Sequence, residues 1–206
     1  MASICTKLTL DAAGESLNLY FVGGYLRAFR EKHPDRWEDL LDTFTSSEKL
    51  KGLIPELTRR SGFLSERSAQ RILRLLIEQS IEPGQLMHFA YGQATNQVNE
   101  TTVIEWIEAL LDRKSNQASS VALTIYANYY LDKSRQSNPP ADLTFRLVTS
   151  PGLVEITDPP YRDQMVGYYW NLICQTFVNQ QPYYAINLGI RIKQLSGVYL
   201  HLLHVV

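Results

Sequence analysis

The sequence predicts an all-α protein, and three observations carry that reading. Apolar residues recur at the i, i+3, i+4, i+7 spacing of one helical face in segment after segment between Leu17 and Leu195. Breaks between segments carry helix punctuation, with Pro34, Ser65, Asn99 and Pro182 at starts and Gly62 and Gly92 at ends. Strand-like alternation is noted at Leu143, Phe145 and Leu147, and there a helix competes with it. The expected architecture is antiparallel helical hairpins, stacked as a short solenoid or packed as an irregular bundle.

Residues 1–16 are small and polar, an extended lead-in. Leu17, Tyr20, Phe21, Gly24, Ala28 and Phe29 then share one side of a helix. Gly23-Gly24 in its middle calls for close approach of a neighbouring helix or for a helix that starts only at Gly24. Pro34 opens a helix carrying Trp37, Leu40, Leu41 and Phe44, and Pro55 kinks or splits the next one, which carries Leu50, Leu53, Ile54 and Leu57. Ser65 caps a helix with Ala69, Ile72, Leu73 and Leu76 on one face, and Asn99 caps another with Val103, Ile107, Leu110 and Leu111. A shift of 34 positions superposes the two patterns, which leaves an internal repeat open.

Between them Pro83 leads into Leu86, Phe89 and Ala90. The segment from Gln117 to Leu131 places Ala118, Val121, Ala122, Ile125 and Tyr129 on one face, and the short link Lys114 to Asn116 pairs it with the Asn99 helix as a hairpin. Residues 132–142 form an exposed loop, so the chain divides into helical regions 1–131 and 143–206, packed as one domain. Residues 143–148 read as helix or strand, and the absence of a partner strand favours helix. Two helices follow, one with Met165, Tyr169, Leu172, Ile173 and Phe177, one with Ala185, Leu188, Gly189, Ile192 and Leu195. The final run VYLHLLHVV is apolar enough to need cover, either as a last packed helix or as the cut edge of a longer protein.

This string of helices resembles the HEAT and armadillo solenoids in architecture, across residues 17–206. The resemblance implies a scaffold or binding surface.

At 206 residues the chain has ample material for a core. A net charge of -1 gives no overall drive towards nucleic acid or anionic membrane. Only Cys5 and Cys174 are present, which speaks against a disulfide framework and for a cytoplasmic setting. No signal-peptide pattern and no long apolar run appear, so no membrane partner is expected.

Catalytic signatures are missing. His201 and His204 share a helical face, yet no third ligand completes a metal site, and no metal or cofactor is expected. Neither a nucleophile elbow nor a phosphate-binding glycine pattern occurs, so the chain is read as a non-enzyme.

Charge is unevenly spread. From Thr45 to Leu75 seven basic residues stand against three acidic ones, whereas residues 76–132 hold seven acidic against two basic. Arg67, Arg71 and Arg74 form a stripe on one helix, and with Arg59 and Arg60 they make a candidate basic surface for phosphates, nucleic acid or an acidic partner. The plainer reading is a solvated face with local pairs such as Arg74 to Glu78. Tyr126, Tyr129, Tyr130, Tyr168, Tyr169 and Trp170 are candidates for an aromatic groove that holds a peptide, against ordinary packing between helices. The sequence thus points to a non-catalytic interaction or scaffold module, a regulatory or sensor segment of a larger multidomain protein, with another protein or domain as partner. The alternative is a nucleic-acid-binding domain that uses the Arg59–Arg74 surface.

Overall fold

The structure is a computed structural model that describes residues 19–131, 138–154 and 164–196, and among these the chain is helical, with no strand. It divides into two compact units, Met1–Val103 and Ile104–Val206. The lead-in 1–16 with Cys5, residues 132–137 of the expected loop, Pro159-Pro160 and the apolar run with His201 and His204 lie outside the described residues.

In the first unit α1 (Leu19–Lys32) runs unbroken through Gly23-Gly24. Close approach explains the first glycine of the pair. A Cβ on Gly23 would lie 3.3 Å from the Arg60 side chain of α3 (Ile54–Arg60), which packs on α1. α2 (Pro34–Thr45) starts at a proline whose missing N–H is no loss in a first turn, and its Trp37, Leu41 and Phe44 are buried. Pro55 splits its segment for the same reason: it sits in the first turn of α3, behind a separate 3-10 turn Lys51–Leu53. Gly62 ends α3 with φ at +76°, a conformation that side chains disfavour.

α4 (Glu66–Ile77) is capped as the sequence predicts, Ser65 Oγ accepting from the Ser68 N–H at 3.0 Å. Its Ala69, Ile72, Leu73 and Leu76 are buried, and it packs on α2 and α3. The stretch after Pro83 winds into 3-10 turns, Pro83–Phe89 and Ala94–Gln97, with Gly92 at φ +66° between them. Glu66 then serves the start of α5 (Glu100–Asp112), its carboxylate accepting from the Asn99 N–H at 2.7 Å and the Thr102 hydroxyl at 2.6 Å. An anion is favoured at a helix N-terminus. Burial pushes the Glu66 carboxyl up, but the Asn99 and Thr102 hydrogen bonds outweigh it and hold the group below the usual range.

The second unit is built around α6 (Asn116–Tyr130). Ser115 caps it through the Ala118 N–H at 3.1 Å, after a link as short as predicted. Eleven of its residues are buried, so it is covered nearly all round and one neighbour cannot suffice. Its close partners are α7 (Ala141–Val148), α8 (Pro151–Val154) and α9 (Gln164–Gln180). The hairpin expected from Asn99 to Leu131 is therefore not the main packing of α6.

Residues 143–148 are helical, because Leu143 and Leu147, one turn apart, share the buried face of α7. Inside the unit Tyr126 and Thr144 join their hydroxyls at 2.6 Å, and Ser119 and Ser150 theirs at 2.8 Å. Burial pushes the Tyr126 phenol up to about 12. Trp170 of α9 donates to the Val148 carbonyl at 3.0 Å, at the open C-terminus of α7. α10 (Pro182–Ser196) packs on α8 and α9.

Gly152 marks the tightest approach. A Cβ there would stand 2.5 Å from Ser119 Oγ and 2.8 Å from the Ser115 carbonyl oxygen, at the first turn of α6. The carbonyl belongs to the cap and cannot swing aside. Gly152→Ala is therefore expected to lower stability by about 1–3 kcal/mol in urea denaturation. An unchanged midpoint would show that the two backbones are not in contact.

Candidate interaction surface

Of the predicted arginine stripe Arg71 is turned inwards, while Arg67 and Arg74 are exposed. Arg71 has no exposed surface and binds four acceptors. Its Nε donates to Asp42 at 2.7 Å, Nη1 to Ser68 Oγ at 3.1 Å, and Nη2 to the Glu38 carboxylate at 2.9 Å and the Glu38 carbonyl at 3.1 Å. Glu38 also accepts from Ser65 Oγ at 2.5 Å, which ties the cap of α4 to α2. Arg67 spans Asp39 at 2.8 Å and Asp42 at 3.0 Å.

The expected solvated stripe is thus corrected for Arg71, whereas Arg67 stays exposed and is paired across to α2. Glu38, Asp39 and Asp42 lie on the polar side of α2, and pairing α2 with α4 neutralises both arginines. Arg59 and Arg60 share Glu56, at 2.7 Å and 2.5 Å. Arg74 alone of the five is exposed without an ion pair among the described residues, and the pair with Glu78 does not form.

These contacts depend on pH in a definite direction. Burial pushes the Asp42 carboxyl up, yet the hydrogen bonds and charges of Arg71 and Arg67 bring it below the usual carboxylate range. Arg59, against some burial, does the same for Glu56. A folded-state pKa below the unfolded one gives stabilisation that is complete above the unfolded value, about 4, and is lost as pH falls through the folded one. The denaturant midpoint of the first unit should fall as pH is lowered from 5 to 2, less steeply in Asp42→Asn. Identical profiles would remove Asp42 from the account. At neutral pH Arg71→Ala should cost about 3–5 kcal/mol, because it leaves the partly shielded Glu38 carboxylate without its cation and Asp42 with Arg67 alone.

The aromatic candidates separate into two groups. Tyr126, Tyr129 and Tyr130 are buried, with rings of neighbouring pairs 4.9 Å apart, so they are core side chains and not an open groove. Tyr126 and Tyr130 do reach the wall of a cavity of about 500 Å³, which also touches Ile173 and Phe177 and, among the described residues, has no charged side chain in its lining. Tyr168 is exposed, Tyr169 and Trp170 are half-buried, and none of the three lines that cavity. Consecutive aromatics on a helix point different ways, and α9 distributes them accordingly.

An exposed apolar row lies on α10 instead. Tyr183, Ile186 and Ile190 are 82%, 73% and 53% exposed and follow i, i+3, i+7. On the opposite side Leu188 is buried, and Tyr184 packs against Phe145 and Phe177 while donating to Asp142 at 2.9 Å. The outer face is therefore fixed by the inner one. Sequence reading follows the inner row of Ala185, Leu188, Gly189 and Ile192. The signal for the outer row is that α10 is apolar on both sides, more than one packed face requires. No acidic residue occurs from Gln164 to Ser196, and Arg191 and Lys193 adjoin the row.

No family model, curated protein or solved structure matches this chain.

Other chemistry gains no support. Burial pushes the Cys174 thiol up to about 12, which leaves it a poor nucleophile. Among the described residues no three His, Cys, Asp or Glu side chains converge as metal ligands, and no helix is long and apolar enough to cross a membrane.

Proposed function

We propose that this chain is a non-catalytic interaction module that holds an amphipathic helix of another protein against the outer face of α10. The observation that carries the reading is the row Tyr183, Ile186 and Ile190, large apolar side chains left in water on a helix whose other side is pinned. Three anchors at helical spacing suit an α-helix laid along them, since a partner helix offers apolar side chains at the same period. With Arg191 and Lys193 beside the row and no acid on α9 or α10, the partner's flanks are acidic. The reading needs no repeat architecture. It extends to a scaffold or regulatory segment of a larger assembly, where one such face joins two components. Nucleic-acid binding through Arg59–Arg74 has less to rest on, because Arg71 is buried and Arg67 is held by Asp39 and Asp42, so no continuous stripe remains between Arg59 and Arg74.

The test uses two labelled synthetic amphipathic helices with the same leucine face, one flanked by glutamates and one by lysines, followed by fluorescence anisotropy. The glutamate-flanked helix should bind about tenfold tighter or more. Ile186→Asp with Ile190→Asp should weaken it by about a hundredfold or more, because each isoleucine removed from water contributes about 1.5–3 kcal/mol. Equal binding by the parent and the double variant, or no preference for acidic flanks, would overturn the proposal.

A further inference from the structure

The turn from Arg59 to Leu64 gathers positive charge that the stripe of α4 does not account for. Arg59 and Arg60 have one carboxylate, Glu56, between them. Two arginines of α1 approach the same turn. Arg27 Nε lies 3.0 Å from where a Gly62 Cβ would stand, and the Arg30 guanidinium sits 5.0 Å from the centre of the Phe63 ring. Neither Arg27 nor Arg30 has an ion pair among the described residues. Four guanidiniums thus surround one turn with, among the described residues, a single carboxylate bonded to them.

A cleft of about 480 Å³ opens beside this turn, between residues 58–64 and 88–97, and among the described residues no acidic side chain lines it. Arg59 and His88 bring cationic or proton-donating groups to its lining, Gln97 an amide, and Phe63 and Phe89 apolar surface. Phe63 is 45% exposed, so its ring is available to a ligand. Gly92, at φ +66°, leaves the space beside its backbone open, with nothing within 4 Å of a Cβ position. Thr58 belongs to the same lining, wholly buried, and its Oγ1 has no hydrogen-bond partner among the described residues. A guanidinium and an amide beside an aromatic ring, with the neighbouring carboxylate of Glu56 already bonded to Arg59, define one chemical class of ligand.

We infer that this cleft binds a small organic anion, a phosphate ester or carboxylate carried on an apolar or aromatic body. The anion lies against Arg59 Nη1, which the Glu56 pair through Nε and Nη2 leaves over among the described residues, with Arg27 adding long-range attraction, and the body covers Phe63. The site belongs to the first unit and is independent of the α10 reading, so either can fail alone.

The experiment is an NMR titration of the full chain that follows the amide signals of Gly62 and Gly92. The probes are phenyl phosphate, phenylacetate and the neutral benzyl alcohol, with sodium sulfate at matched ionic strength as control. Both organic anions should shift the two glycines saturably, about tenfold tighter than benzyl alcohol. A tighter phenyl phosphate identifies a phosphate ester as the natural class, and a tighter phenylacetate a carboxylate. Arg59→Gln should weaken both by about tenfold, and Arg27→Gln by a smaller factor that shrinks with added salt. Gln97→Leu serves as the folding-neutral variant: the side chain it replaces is exposed in the cleft lining, so Tm should hold while anion binding weakens. Equal binding of anion and alcohol, the same shifts from sulfate alone, or unaltered affinity in a folded Arg59→Gln would overturn the inference.

Discussion

A guanidinium without exposed surface must find every acceptor inside the protein, and Arg71 finds them on α2 and on its own helix. Desolvating that charge is costly, and the cost is met only while Glu38, Asp42 and Ser68 stand where they do. The requirement fixes more than one pair. Glu38 also holds Ser65, the cap of α4, so the start of that helix and its seat against α2 are set by one carboxylate. Asp42 takes Arg67 on its other oxygen, which excludes rotation of α4 about its axis. Trp37, Leu41 and Phe44 on one helix and Ile72 and Leu76 on the other supply the apolar energy of the unit, while the charged cluster selects the register in which they meet.

What the sequence could express of this was local. Ser65 as a cap, the buried face of α4, the start of α2 at Pro34 and the role of Pro55 follow from contacts within about one turn, and each formed where expected. The destination of Arg67 and Arg71 did not, because their acceptors lie 25 to 33 residues earlier, on another helix. Periodicity assigns charged residues to an outer face by default. A helix pair that presents opposite signs to each other reverses that default, and nothing in either helix alone records it. The same limit appears on α6, where a five-residue face was legible but burial of the remaining sides depends on α7, α8 and α9.

The positive charge near Gly62 illustrates the complementary case. Arg27 and Arg30 stand on α1 amid glutamate and lysine and draw no notice in a running count of charge. Folding brings them to the turn that Arg59 and Arg60 approach from the other side in sequence. A basic locus therefore exists in this unit, assembled from two helices distant in the chain. Of the stripe legible on α4, Arg67 and Arg71 are spent on cohesion and Arg74 stays unpaired among the described residues, whereas the second locus is one no single segment displays.

Placing α6 at the centre of its unit has a consequence for how the polypeptide acquires its shape. The helix is complete as a segment at Tyr130, yet one of its principal neighbours, α9, starts only at Gln164. During synthesis at about 5–20 residues per second, Val121, Ile125, Tyr126 and Tyr129 emerge seconds before the surface that covers them. The unit cannot consolidate helix by helix from its N-terminal side, as a stack of neighbouring hairpins would. It must wait for a distant closure, and that interval is the time in which a chaperone, or an unwanted neighbour, meets its most apolar helix.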